Sequence, residues 1–287
     1  MLSRTHKTTL LAAAALAGAM VAQAAGAAMI EQWDYTIDTG FANIDSLSST
    51  TTASDKNAKG DPTKISAYDG HSTSWIGIDG SVTGSGLTTN GSSVDGATFT
   101  HNNQVLEKGT DTLHSFAIDT YLGLTATAPP DENGQKANQF LKFQSHFIET
   151  SNTVGEANCP APGGDPCSDI FVLDNADVLG SPNADGDFVI SQDFHAGSDN
   201  RLYTLFLTIE DFMQLSDDAC AAADAGTECI GLITNEGTEN NFKTHLRIVS
   251  AVSVPEPGTL AIMLMGLGLL GLGFAVRRRN GGHQLSV

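Results

Sequence analysis

The chain has 287 residues, of which 33 are acidic and 14 are basic, and its formal net charge is −19 at pH 7. Nucleic acid is excluded as a partner, because binding phosphates requires basic patches that this composition does not supply. With 40% hydrophobic residues, the chain is long enough and apolar enough to form a proper hydrophobic core. The acidity suits a protein that is soluble outside the cell, and it allows divalent cations to bind.

The first 27 residues have the pattern of a secretory signal peptide. Arg4 and Lys7 precede an apolar stretch at 10–22, and small residues follow up to position 27. Because this stretch is too short to anchor the chain, we expect the Sec translocon to export the protein and signal peptidase to remove residues 1–27. The remaining chain up to the apolar tail, residues 28–257, carries nine basic and 33 acidic residues, a net charge of −24.

The mature chain, residues 28–252, is predicted to form one extracytoplasmic β domain. Apolar and polar residues alternate from Trp33 to Asp38, which is typical of a half-buried strand. Similar or fully apolar patterns predict further strands at 74–78, 112–126, 139–150, 169–173, 187–191, 202–209, 229–234 and 241–252. With few helical patterns between them, the strands predict an all-β fold, an antiparallel, jelly-roll-like β-sandwich.

The segments between the predicted strands are mostly turns. Turn dipeptides suited to tight hairpins occur at Asp69-Gly70, Asp79-Gly80, Asn90-Gly91 and Asp95-Gly96. Residues 47–64 are polar and without periodicity, so we expect a long exposed loop or a partly disordered insertion there. The pattern predicts one short helix, at residues 210–216.

The four cysteines, Cys159, Cys167, Cys220 and Cys229, all lie in the mature chain. Cysteines in an exported chain predict disulfides. Short segments rich in Pro, Gly, Ala or Asp separate the members of two pairs, which favours Cys159–Cys167 and Cys220–Cys229 among the three possible connectivities. Neither spacing is typical of a zinc site.

A calcium site is one interpretation of the stretch Asn183-Ala184-Asp185-Gly186-Asp187. Oxygen ligands at Asn183, Asp185 and Asp187 alternate as in the first half of a calcium loop, and Gly186 permits a sharp turn. The bidentate Glu of a complete loop is missing at the expected offset. A type I′ hairpin turn at Asp185-Gly186 is therefore the alternative, and no other cofactor is expected.

No constellation of residues predicts an enzyme. The stretch Gly70-His71-Ser72-Thr73-Ser74 begins like a nucleophile elbow, but Ser replaces the final Gly and no helix follows. The six histidines of the mature chain have no metal-ligand spacing. Acidic residues are so abundant that choosing two for glycoside hydrolysis would be arbitrary.

The C-terminal tail has three consecutive parts. Val254-Pro255-Glu256-Pro257 precedes the apolar run 258–276, and Arg277, Arg278 and Arg279 follow directly. As a helix, the run would span roughly 28 Å, enough to cross a bilayer once. The arginines are expected to stay on the cytoplasmic side, which leaves the mature domain outside.

This order of motif, apolar helix and arginine cluster at 253–280 resembles the PEP-CTERM sorting signal of Gram-negative bacteria, also named the ice-binding protein C-terminal domain. The resemblance implies recognition by an exosortase, a membrane-embedded enzyme, with cleavage near Pro255-Glu256-Pro257. It also implies transfer of the mature domain to the cell surface or its polysaccharide matrix. Ice binding itself is not expected, because the threonines form no regular array.

A second resemblance covers the mature domain. Thr100-His101-Asn102-Asn103 matches the T-H-x-N motif that names a subfamily of PEP-CTERM proteins, and Trp33 and the stretches 147–152 and 167–173 are similar to that subfamily too. The subfamily brings no established activity, so Thr100, His101 and Asn103 carry over only as a family motif. From the residues alone, His101 either orients a ligand or a metal, or belongs to a hydrogen-bonded turn that caps the end of a strand.

These patterns together predict an exported protein that is first anchored in the inner membrane and then sorted to the cell surface or extracellular matrix. A structural or interaction role in a biofilm, with exopolysaccharide as a partner, is the favoured function. A calcium-assisted carbohydrate-binding module is the alternative.

Overall fold

The computed structural model describes residues 28–45, 47–107, 113–150, 152, 159, 167–174 and 179–251. Several predicted features lie outside these residues: the signal peptide (1–27), the sorting residues Val254, Pro255, Glu256 and Pro257, the apolar run 258–276, and Arg277, Arg278 and Arg279. Within the described ranges, none of the helices is long and apolar enough to cross a membrane.

The described chain is all-β, with strands numbered in chain order. Their bounds are β1 Gln32–Ala42, β2 Thr51–Ser54, β3 Lys64–Tyr68, β4 Thr73–Ile78, β5 Ser81–Thr88, β6 Val94–Asn103, β7 Ser115–Ala128, β8 Lys136–Ile148, β9 Asp169–Leu173, β10 Gly180–Pro182, β11 Phe188–Ala196, β12 Arg201–Ile209, β13 Met213–Gln214, β14 Ile230–Thr234 and β15 Thr238–Ser250. The helices described over their full length are one α-helix, α1 (Asp217–Ala222), and a 3₁₀ helix, Pro130–Glu132.

Two antiparallel sheets make up the fold. The first sheet has the order β13-β14-β9-β8-β7-β1-β5, and the second has the order β10-β11-β12-β15-β6-β4-β3-β2. Inward side chains from both sheets meet in one core. Trp33 of the first sheet packs edge-on against Tyr203 of the second at 5.4 Å, and Phe171 packs against Phe99 at the same distance. The predicted β-sandwich is therefore confirmed, while its jelly-roll character stays a prediction.

Strand prediction succeeded where the sequence alternates or is continuously apolar, and it failed where the sequence is polar. Strand β9 has the predicted bounds, residues 169–173. The expected loop at 47–64 instead contains β2, which pairs with β3, and Thr51 is completely buried there. Polar residues at a sheet edge form ladder hydrogen bonds without the apolar alternation on which the prediction depended.

Two local predictions were wrong for identifiable reasons. The expected helix at 210–216 is a turn followed by β13, and the helix begins one residue later, where the Ser216 side chain accepts a hydrogen bond from the Ala219 N–H. Asp95-Gly96 lies inside β6 and is not a turn. A Cβ at Gly96 would lie 2.3 Å from Oγ1 of Thr244, so glycine permits the close approach of β15.

Both predicted disulfides are confirmed. Cys159–Cys167 closes the segment before β9, and Cys220–Cys229 joins α1 to the start of β14. The second bond belongs to a small apolar cluster on the outer side of the first sheet, where Cys220 packs with Ile170 and Val172.

The connection between β14 and β15 positions the candidate site. Strand β14 belongs to the first sheet and β15 to the second, so Asn235, Glu236 and Gly237 carry the chain from one sheet to the other. Gly237 has a φ of 70°, a conformation that glycine adopts without strain.

Candidate functional site

Three carboxylates converge beside this crossover. Oxygen atoms of Glu149, Asp169 and Glu236 lie within 4.8 Å of one another. Asp169 is completely buried, and the other two residues are half-buried. We call these three residues the carboxylate cluster.

Strand register brings the three residues together. Ile148 pairs with Ile170, so Glu149, just after β8, lies beside Asp169 at the start of β9. Asp169 pairs in turn with Thr234, the last residue of β14, and Glu236 follows two positions later. The cluster therefore forms where three neighbouring segments of the first sheet end or begin.

The second sheet contributes the T-H-x-N stretch at 100–103, whose membership of the subfamily stays a prediction. His101 and Asn103 occupy inward positions of β6 and are 2% and 0% exposed. The His101 Nδ1 lies 2.8 Å from Oγ1 of Thr234, and the Asn103 Nδ2 donates to the Thr234 carbonyl at 3.1 Å. Thr100 faces outward, where its Oγ1 donates to Oδ1 of Asn241 at 2.7 Å. The motif therefore joins the two sheets at the end of β14.

The other two stretches that resemble the subfamily support the cluster from the first sheet. The Thr150 N–H donates to Oδ1 of Asp169 at 2.9 Å, and its hydroxyl donates to the carbonyl of the disulfide-bonded Cys167 at 2.8 Å. Asn152 donates through Nδ2 to Oε1 of Glu149 at 3.0 Å. Residues of the T-H-x-N stretch, of 147–152 and of 167–173 thus meet beside the carboxylate cluster, whereas Trp33 lies elsewhere in the core.

Several oxygen atoms of this site have no hydrogen-bond donor. Buried acceptors without a partner are Asn103 Oδ1, Asn152 Oδ1, Asp169 Oδ2, Glu236 Oε1 and Glu236 Oε2. Buried polar atoms are normally paired, and each exception calls for an explanation. A concentration of unpaired acceptors in one place favours an electropositive partner.

Burial and mutual repulsion dominate the electrostatics of the cluster. Burial and the charges of Glu149 and Glu236 raise the pKa of the Asp169 carboxyl to about 9. Burial and the charge of Glu149 raise the pKa of Glu236 to about 7, and burial also raises the pKa of Glu149. None of the ion pairs in the described part of the chain involves these residues. The site therefore favours protons or a bound cation over three bare charges.

His101 is neutral in this environment. Burial lowers its pKa to about 3, and its Nε2 has no hydrogen-bond partner. The ring packs edge-on against Phe147 at 5.1 Å. It also lines a small cavity of about 20 Å³ that reaches Glu149, which is room for about one water molecule.

The predicted calcium loop at 183–187 forms a hairpin turn between β10 and β11. The Asn183 Oδ1 accepts hydrogen bonds from the backbone N–H groups of Asp185 and Asp187, both at 2.9 Å. Gly186 supplies the positive φ of the turn, 94°. The alternative interpretation, a hairpin turn, describes this geometry, but the turn is not type I′ because Asp185 lacks the positive φ which that type requires. Calcium binding here stays a prediction.

Sequence reasoning did not identify the carboxylate cluster. Glu149 and Asp169 lie inside stretches that resemble the subfamily, which was a signal for their proximity. Glu236 carried no such signal, because only the β14–β15 crossover brings it to the other two residues.

Comparison with known proteins identifies the tail. Residues 253–279 match the PEP-CTERM protein-sorting motif. A search of the curated proteins finds no match to the sequence. The motif makes the chain an exported protein that an exosortase sorts.

Proposed function

We propose that the β-sandwich has a structural or interaction role at the cell surface and in its exopolysaccharide matrix, as in a biofilm. In this proposal, the Sec translocon and signal peptidase process the leader, 1–27. The apolar run 258–276 then holds the precursor in the inner membrane until the exosortase cuts near Pro255-Glu256-Pro257. The mature domain is released to the outside.

The observation that carries this proposal is the sorting motif at the end of a disulfide-bonded β-sandwich. The motif at 253–279 supplies the destination. Two disulfides suit an oxidising compartment outside the cytoplasm. A net charge of −24 over residues 28–257 favours solubility there, and contact with acidic polysaccharide would then require bridging cations.

A non-enzymatic role is also supported by the shape of the candidate site. Catalytic carboxylates must reach the reacting atoms of their substrate. Asp169 is fully buried, and the oxygens of Glu236 are shielded from solvent. A polymer chain has no access to such a cluster.

The test of this proposal compares cells with and without the exosortase. We expect the surface form to have an intact mass that lacks Arg277, Arg278 and Arg279, and we expect the uncut precursor to accumulate in membranes when the enzyme is deleted. The mature form should also sediment with isolated exopolysaccharide. Retention of the arginines in both strains contradicts the sorting step, and a mature form that stays in the supernatant contradicts the matrix role.

A calcium-assisted carbohydrate-binding module is the second candidate, and one surface feature favours it. Tyr121 and Phe140 lie side by side on the outer face of the first sheet, with ring centroids 4.8 Å apart. Phe140 is 45% exposed. Exposed aromatic rings offer an apolar surface on which a sugar ring can stack, and polar side chains beside them can bind hydroxyl groups. The adjoining groove is lined by, among others, Thr36, Asp38, Lys59, Asn138 and Gln139.

A glycan array with and without calcium separates the two candidates. The carbohydrate-binding proposal expects a defined glycan signal for the full chain that Phe140→Ala removes. Leu202→Ala is the matched control, because Leu202 is 46% exposed but lies on the second sheet. A glycan signal that survives Phe140→Ala, or none at all, contradicts binding at this surface.

A further inference from the structure

We propose that Glu149, Asp169 and Glu236 bind one calcium ion between the two sheets. The three carboxylates place oxygen atoms within 4.8 Å of one another. Calcium binds oxygen at 2.3–2.6 Å, so two ligands on opposite sides of one ion lie about 5 Å apart. The spacing of the cluster therefore fits contact with a single ion.

A fully buried neighbour provides independent support for the site. Asn103 is 0% exposed, and its Oδ1 has no hydrogen-bond partner. Its side chain lies beside Glu236, where it partly offsets the rise in the pKa of that carboxyl. An amide oxygen is a common calcium ligand, and here it belongs to the opposite sheet from Asp169.

Charge explains why the site can bind a cation in place of protons. Three carboxylates share a largely buried volume, and within the described residues no Lys, Arg or His forms an ion pair with them. Buried charges are normally paired or bound to a metal ion, because desolvation without compensation is costly. A divalent cation offsets two of the three charges.

The donor set favours calcium over zinc and magnesium. Zinc prefers sites that include histidine nitrogen. His101 is near, but its ring nitrogens are not among the clustered ligand atoms. The cluster therefore offers oxygen alone. Magnesium keeps several waters in a strict octahedron, whereas calcium accepts bidentate carboxylates in irregular geometry, which suits a buried cluster better.

The position of the ion gives it a structural role. Glu149 and Asp169 belong to the first sheet, and Glu236 lies in the crossover that leads to the second. An ion bound by all three ties the crossover to the strand ends. The domain would then be fully stable only outside the cytoplasm, where calcium is abundant enough for sites of about 10⁻⁴–10⁻³ M affinity.

Isothermal titration calorimetry on the full chain tests the proposal. The chain is purified in detergent, which accommodates the predicted apolar tail, and is stripped with a chelator. We expect one calcium ion per chain, with weaker binding of MgCl₂ and of ZnCl₂. Glu236→Gln should lower calcium affinity about tenfold or more, because affinity depends on the number of charged ligands.

Asp187→Asn is the matched control, since it removes one acidic charge from the hairpin turn and leaves the cluster intact. It should bind calcium as the unsubstituted chain does. Loss of binding in Asp187→Asn with unchanged binding in Glu236→Gln would place calcium at the turn and overturn the proposal. Tighter binding of zinc than of calcium, or no saturable calcium binding up to about 10 mM, would overturn it too.

A thermal unfolding series separates loss of ligands from loss of the fold. Calcium should raise the Tm of the unsubstituted chain and of Asp187→Asn, but not that of Glu236→Gln. In chelator, Glu236→Gln should melt no lower than the unsubstituted chain, because it removes an uncompensated buried charge. If this variant fails to fold, Asp187→Asn still decides the question: one calcium ion per chain in this variant supports the cluster, and loss of binding in it overturns the proposal.

Discussion

The Nδ1 of His101 and the Oγ1 of Thr234 lie 2.8 Å apart, and this hydrogen bond joins β6 of the second sheet to β14 of the first. Both residues are buried, which shields the bond from bulk solvent. The T-H-x-N motif therefore acts at an inter-sheet contact beside the carboxylate cluster, and its histidine is a neutral hydrogen-bonding group.

A double-mutant cycle measures this contact. His101→Ala should lower the free energy of unfolding by about 2–4 kcal/mol, because it leaves a cavity and an unpaired hydroxyl. Thr234→Val should cost about 1–3 kcal/mol by leaving the imidazole unpaired. Urea unfolding of the single and double variants should show a coupling energy of about 1 kcal/mol. Strict additivity would contradict a direct interaction.

Stability in chelator should fall as pH rises from about 4 to about 9. The pKa of Asp169 is raised to about 9 and that of Glu236 to about 7, whereas unfolded carboxyls titrate near 4. The unfolded chain therefore loses these protons first, and stability that is fully present below about pH 4 is lost through this range. His101, with its pKa lowered to about 3, adds a loss as pH falls below about 6.5.

Urea unfolding at a series of pH values checks this profile. In chelator, the free energy of unfolding should be greatest at mildly acidic pH. Saturating calcium should remove most of the decline on the alkaline side, because the ion compensates the ionised carboxylates. An alkaline decline that is equal with and without calcium would argue against the cluster as its cause.

The two disulfides should differ in their effect on calcium binding. Cys220→Ala with Cys229→Ala should cost about 2–3 kcal/mol of stability and leave calcium affinity unchanged, because this bond lies in the outer apolar cluster. Cys159→Ala with Cys167→Ala should also weaken calcium binding, since the Cys167 carbonyl accepts the Thr150 hydroxyl beside Asp169. Urea unfolding and calorimetry give the two readouts, and equal calcium affinity in both pairs would contradict this difference.

The two tryptophans should contribute unequally to stability. Trp33 is fully buried, packs against Tyr203 and donates through Nε1 to Oγ1 of Thr89 at 3.0 Å. Trp33→Ala should therefore cost about 3–5 kcal/mol. Trp75 is half-buried under the Lys64 ammonium, so Trp75→Ala should cost about 1 kcal/mol. Comparable losses in urea unfolding would show that Trp33 is not the larger core contact.

The sequence predicted those parts of the fold in which side-chain alternation reports burial. Trp33, Tyr35 and Ile37 are buried at alternate positions of β1, as the pattern indicated. Strand β2 was missed because its residues are short and polar, and pairing alone keeps them in place. The helix was placed too early because a turn at Asp211, with a φ of 61°, interrupts the pattern.

The candidate site was beyond prediction for a different reason. Asp169 and Glu236 are 67 positions apart in sequence, and only the register of β9 with β14 brings them together. Acidic residues are so frequent that composition cannot indicate which of them meet. The disulfide pairing was predictable, by contrast, because each bond closes a short local loop.

Metal content of the native surface protein tests the central claim most directly. The mature protein is released from the cell surface without chelator and dialysed against about 5 mM calcium, well above the affinity expected for the site. Its calcium content is then measured by elemental analysis beside that of its Glu236→Gln variant, with the dialysate subtracted. We predict one calcium per chain in the unsubstituted protein and a much lower content in the variant. Absence of calcium from the native protein, or equal content in both, would contradict a calcium ion between the two sheets.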